Sequence, residues 1–178
     1  MGADSLIWSP KPVYMQELLS GYTAYNVWAN RKLMEALASV PADLIDEPMD
    51  GSFSTIRKTI YHIWDAQVIW LSRLQGSSPA TWPSAAYGDD FSGYDVYFLQ
   101  QSEDFHRFVS TRPDSYFADM CFYRNLNGDQ LKTRNSDIIL HCMNHSTYHR
   151  GQVITFLRQS GITEVPHTDY IFYLRERT

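Results

Sequence analysis

The chain has 178 residues, a net charge of −5 at neutral pH, and 26 aromatic side chains (5 Trp, 12 Tyr, 9 Phe). That length suits one domain, 1–178, with a core of its own and leaves little room for a second. There is no Lys/Arg stripe to hold phosphate backbones, so nucleic acid is not expected as a partner. No run reaches the roughly 20 apolar residues of a membrane span.

Met1 to Lys11 lacks the basic and apolar regions of a signal peptide. Cys121 and Cys142 are too few for a disulfide framework. The expectation is a soluble protein of the reducing cytoplasm. The first helix is predicted over Val13–Val40, ending at Pro41, with Tyr14, Leu18, Tyr25, Trp28 and Leu33 as its large apolar groups. The second runs from an N-cap at Ser54 to Leu74, before Gly76 and Ser77-Ser78-Pro79. From Gly76 to Gly93 extends a long polar loop of the kind that borders functional clefts.

The third helix, Ser92–Thr111, is weakly amphipathic and stops before Pro113. Next come the extended runs Phe117–Arg124 and Gln130–Thr133, separated by Asn127-Gly128, which predicts a β-hairpin. The fourth helix is predicted from an N-cap at Ser136 to Ser160, with Gly161 at C′. Four long helices bury their stripes best together. The expected fold is all-α, a four-helix bundle with a small β-hairpin inserted before the fourth long helix.

Three of the six histidines recur at four-residue spacing in this last helix: His141-Cys-Met-Asn-His145-Ser-Thr-Tyr-His149-Arg-Gly-Gln. Such spacing stacks side chains on one helical face, and neutral imidazole is the commonest metal ligand. At about 100° per residue, with His141 at 0°, His145 falls near 40° and His149 near 80°. Ile138 and Phe156 both fall near 60°, so His145 and His149 are read as straddling the inward stripe, with His141 at its edge. A catalytic ion usually takes three protein ligands, so one more must come from elsewhere. His62, set among apolar residues of the second helix, is the natural third. His106 and His167 lie in less suitable segments.

A lone helical histidine such as His62 is more often packed than ligating. Burying several imidazoles together without an ion is costlier, which tips the cluster toward metal. Cys142 reads as a small core residue and Arg150 as pointing away from the stripe, toward a surface or inter-helix pair. Asp65 and Asp137 could orient imidazoles but read more simply as solvated helix-face charges. The zinc-protease HExxH pattern is absent, since Cys142 and Ser146 follow the first two histidines. Gly-rich phosphate loops, GxSxG and the paired Glu-x-x-His of di-iron bundles are absent too.

The His141–Gln152 run resembles the signature of the DinB/YfiT-like superfamily. Tyr25-Asn26-Val-Trp28-Ala-Asn30, the helix around His62 with Trp70 after it, and Thr168-Asp169-Tyr170 resemble other segments of that family. The resemblance implies a four-helix bundle, often a homodimer, with one divalent ion held by His62, His145 and His149. Zinc or nickel suits that set best, with iron or manganese possible; imidazoles alone do not choose among them.

With three neutral ligands, such an ion keeps its charge and an open position, where a water or a thiol would ionise. The resemblance points to a thiol S-transferase acting on a small-molecule substrate with a low-molecular-weight thiol; a hydrolase is the other catalytic option. Arg31, Arg73 or Arg150 could bind the thiol's carboxylates, and Tyr148 could bring a hydroxyl near the ion. A non-catalytic metal-binding or stress-response protein is the alternative, and a dimer with relic histidines the last.

Overall fold

The structure, a computed structural model, describes residues 14–87 and 93–177. Four long helices form the bundle: α1 (Met15–Leu37), α3 (Ile56–Leu74), α4 (Tyr94–Ser110) and α5 (Asn135–Gln159). Short helices α2 (Ala42–Ile45) and α6 (Tyr170–Arg175) flank them. α1 packs on α4 and α5, and α3 on the same two from the opposite side. The hairpin, β1 (Met120–Arg124) with β2 (Gln130–Arg134), sits between α4 and α5 in sequence and leans on α3. No helix among the described residues is long and apolar enough to cross a membrane.

Several boundaries differ from the sequence expectation. α1 stops at Leu37, and Pro41 caps the one-turn α2 instead of merely ending a longer helix. Val13 and Ser92, the expected starts of two helices, lie outside the described residues. The N-cap of α3 is Thr55 rather than Ser54; its Oγ1 accepts the Lys58 N–H at 3.0 Å. α5 begins at Asn135 with Arg134 as N-cap, because the hairpin delivers the chain directly into the helix, so Ser136 lies inside it. Phe117 belongs to a 3-10 turn, Asp114–Ala118, and not to a strand.

Asn127-Gly128 does turn the hairpin, though within a five-residue loop. Asn125 Oδ1 accepts the N–H groups of Asn127 and Asp129, and Gly128 takes the positive φ (89°) the loop needs. Gly161 closes α5 as expected: with φ 83° it lets its N–H reach the Arg158 carbonyl and that of Ile162 reach Leu157.

The centre of the bundle is polar around one residue. Arg150 is 1% exposed; its guanidinium donates to Asn26 Oδ1 (2.6 Å), Asn30 Oδ1 (2.9 Å), Thr147 Oγ1 (2.8 Å) and, at 3.5 Å, Tyr25 OH. Tyr25 in turn donates to the Thr168 carbonyl at 2.7 Å. The segments that carry the family resemblance in α1, in α5 and before α6 are therefore one hydrogen-bonded unit.

Of the two roles expected for Arg150, a surface or an inter-helix pair, the structure shows the inter-helix one, and shows it buried. On the azimuth scale above, the buried residues of α5 span about 60–220°, with the centre near 140° and Arg150 near 180°. α5 packs against α1 as well as α3, so its buried arc is wider than the stripe seen in sequence. The histidines do not straddle its centre. They lie along its α3 edge, where imidazoles can reach both a neighbour and solvent.

Candidate metal centre

Burial along α5 follows that placement. His141 is exposed, His145 half-buried, and His149 only 4% exposed. His62 on α3 meets the last two, while Trp70, about two turns later, meets His141 at 5.2 Å between ring centres, so the helices run antiparallel. The His62 ring centre lies 4.7 Å from those of His145 and His149, which are 4.4 Å apart. One nitrogen from each falls within 4.8 Å of the others. The structure thus brings together His62, His145 and His149.

The electrostatics suit ligands. Burial, and then the neighbouring imidazoles, push His62 down to about 4 and His145 down to about 3. Burial also lowers His149. All three are neutral near pH 7, the form that binds a metal. His145 Nε2 is buried with no hydrogen-bond partner, a state that costs about 1–3 kcal/mol unless something else satisfies the lone pair. A divalent ion would do so, and the donor set fits one.

Gln152 was quoted in the sequence motif but given no role, and the structure supplies one. Its Nε2 donates to Ser52 Oγ (3.0 Å) and Tyr148 OH (3.3 Å), leaving Oε1 to accept from His149 Nδ1 at 2.6 Å. Nδ1 therefore carries the proton and Nε2 keeps its lone pair for a ligand bond. The signal was present: three residues after His149, Gln152 shares its face. Tyr148 is 60% exposed, its ring packs on His149, and its hydroxyl is engaged by Gln152.

Asp65 is neither a solvated charge nor an imidazole partner. It is 4% exposed, and its two oxygens accept the Ser84 N–H (2.7 Å) and Oγ (2.6 Å). Burial raises its pKa despite those bonds. This pair ties the loop after α3 back onto the helix one turn beyond His62. Asp137 is exposed in the first turn of α5.

Between that loop and α3 opens a cleft of about 520 Å³, lined by Phe53, Lys58, Tyr61, His62, Asp65, Trp82, Ser84 and Ala85. The expectation that the loop borders a cleft holds for its described part. The arginines assigned to thiol carboxylates line none of it. Arg31 pairs with Glu103 at 2.8 Å, Arg73 is buried against Trp70 and Tyr123, and Arg150 sits in the bundle centre.

The remaining candidates fall outside the triad. Cys142 is a fully buried core residue whose thiol burial pushes up. His106 meets Thr23 Oγ1 at 3.0 Å, and His167 stacks on Phe172.

The DinB family model matches residues 15–178. Among curated proteins the chain is similar to Protein DinB of Bacillus subtilis (strain 168), 26% identical over 157 residues, which is 84% of this chain and 90% of that protein. Among solved structures it resembles a DinB-like protein from Bacillus subtilis, with a TM-score of 0.55 and 12% identity over 87% of this chain and 97% of the other. At that identity the likeness concerns the fold.

Proposed function

The chain belongs to the DinB family, and from that premise we propose that it is a metal-dependent enzyme that joins a low-molecular-weight thiol to a small electrophile. The observation that carries the reading is the convergence of His62, His145 and His149, with one lone pair of His145 buried and unsatisfied. A divalent ion held there, zinc or nickel before iron or manganese, would supply Lewis acidity that makes a thiol or water ionise near neutral pH.

The chain's own residues do the rest. Gln152 fixes the His149 tautomer, and Gln152 is itself held by Ser52 and Tyr148. Phe53 and Trp82 flank His62 with rings 4.2 and 5.8 Å away and limit water on that side. Thiol transfer is favoured over hydrolysis by the acid–base inventory of the cleft. Its one carboxylate, Asp65, is consumed by Ser84, so no free carboxylate stands ready as a general base, and an ionised thiol needs none to attack.

We also propose homodimerisation in solution; Tyr14, Met15 and Leu18, 59%, 41% and 51% exposed at the start of α1, supply apolar surface for it. The test of the catalytic reading is thiol consumption by metal-loaded protein. Metal-dependent loss of thiol with an electrophile such as 1-chloro-2,4-dinitrobenzene, absent in His145→Ala, is expected. A bound metal with no turnover across a panel of thiols and electrophiles would leave a binding protein instead.

A further inference from the structure

The cleft beside His62 has chemistry of its own. Its walls are aromatic: Phe53 packs on the His62 ring, Trp82 lies on another side, and Tyr61 contributes from α3. A volume of about 520 Å³ is that of a small-molecule site. Besides His62 and the Tyr61 hydroxyl, three polar residues line it. Two of them, Asp65 and Ser84, are spent on each other.

The third is Lys58. It sits one helical turn before His62 on α3, so the two side chains are neighbours, with β-carbons about 5–6 Å apart. Thr55 caps its backbone N–H, but its ammonium has no ion pair or hydrogen bond among the described residues. The nearby Asp46 is held in a two-bond pair by Arg57 at 2.6 and 2.8 Å. In a chain of net charge −5, this cleft presents an ammonium and an imidazole beside aromatic walls, the ammonium near enough to Asp46 to lower that carboxyl's pKa but not bonded to it.

We propose that the cleft is a subsite for a planar aromatic carboxylate, its ring between Phe53 and Trp82 and its carboxylate on Lys58. On the enzyme reading above, on which this role rests, the electrophilic substrate is such an aromatic carboxylate whose ring carries a halide, lost as the halide anion when the thiolate sulfur bonds to that ring carbon. The aromatic faces favour ring stacking, and the single cation at the rim selects a monoanion over a neutral ring. Placing the carboxylate one turn from His62 leaves the ring against the imidazole that would bind the ion.

The test is calorimetric titration of 1-naphthoate and its uncharged analogue 1-naphthalenemethanol into the full chain. Wild type, Lys58→Met, Trp82→Ala and His145→Ala are compared, each checked for an unchanged circular dichroism melt. One naphthoate per chain is expected. Lys58→Met should weaken it about three- to fivefold, the worth of an exposed ion pair, and leave the alcohol unchanged, while Trp82→Ala weakens both.

Naphthoate binding should survive in His145→Ala, which separates this site from the metal. Three results overturn the proposal: naphthoate loss in His145→Ala with no effect of Lys58→Met, which puts the carboxylate on the ion; equal affinity for acid and alcohol; or no binding of either. Failure of the metal reading alone would leave naphthoate binding intact.

Discussion

Replacing Gln152 by leucine isolates a residue outside the three converging imidazoles that bonds directly to one of them. The 2.6 Å bond from His149 Nδ1 to Gln152 Oε1 holds the tautomer that leaves Nε2 unprotonated, on a ring centred 4.7 Å from that of His62 and 4.4 Å from that of His145. Leucine matches glutamine in bulk and cannot accept that bond. His149 would then be free to place its proton on Nε2 or to rotate. Losing such a support costs about 10–100-fold in metal affinity, or about 1.4–2.8 kcal/mol.

Competition for zinc against a chromogenic chelator at pH 7.5 reads this directly. Gln152→Glu is the control, since its carboxylate still accepts from Nδ1 and should bind at least as tightly as wild type. Wild-type affinity in Gln152→Leu would refute the tautomer argument. Equal weakening in both variants would show that Gln152 acts through Ser52 and Tyr148 instead.

Arg150→Ala strands the carboxamides of Asn26 and Asn30 in the bundle centre and should destabilise by about 3–5 kcal/mol, read as a large fall in the urea midpoint; a loss under about 1 kcal/mol would mean that water replaces the guanidinium. Thr55→Ala removes the α3 cap and should cost about 1 kcal/mol; an unchanged melting temperature would show the cap to be idle.

The metal-free fold should lose stability in acid. His62 and His145 have folded pKa values pushed down to about 4 and about 3, so between there and about 6.5 the unfolded chain binds more protons than the folded one. Stability of the metal-free chain therefore rises with pH through that window. Its melting temperature at pH 5 should fall below that at pH 7.5, and the gap should shrink in His145→Ala. The dimer is tested by sedimentation, where a clean monomer at micromolar concentration would remove it.

What the sequence disclosed of the site depended on spacing. His145 and His149 were legible because four-residue steps survive any error in helix boundaries, and His62 because an imidazole inside an apolar helical stripe is conspicuous. The loop after α3 was legible from its prolines and glycines as the border of a cleft, though not which of its residues turn inward. Trp82 and Ser84 do so because Asp65 anchors the loop, and that bond links positions 19 residues apart with no periodic signature.

The burial of Arg150 was hidden for a related reason. A single-helix azimuth assumes one buried face, whereas α5 is covered by α1 and α3 together. A charge with either a surface or an inter-helix role open to it meets Asn26 and Asn30 from the first helix, more than a hundred residues away. The same wider arc moves the histidines from the centre of the buried face to its edge, beside the cleft that His62 lines.

The central claim is that His62 and the α5 pair hold one ion. Elemental analysis tests it most directly, on protein purified without a nickel column, for the native chain and for His62→Ala and His145→Ala. About one divalent ion per chain, lost in both variants while the fold persists, is the predicted result. A native chain that carries no metal, and takes up none on dialysis against zinc, nickel or manganese, would contradict it.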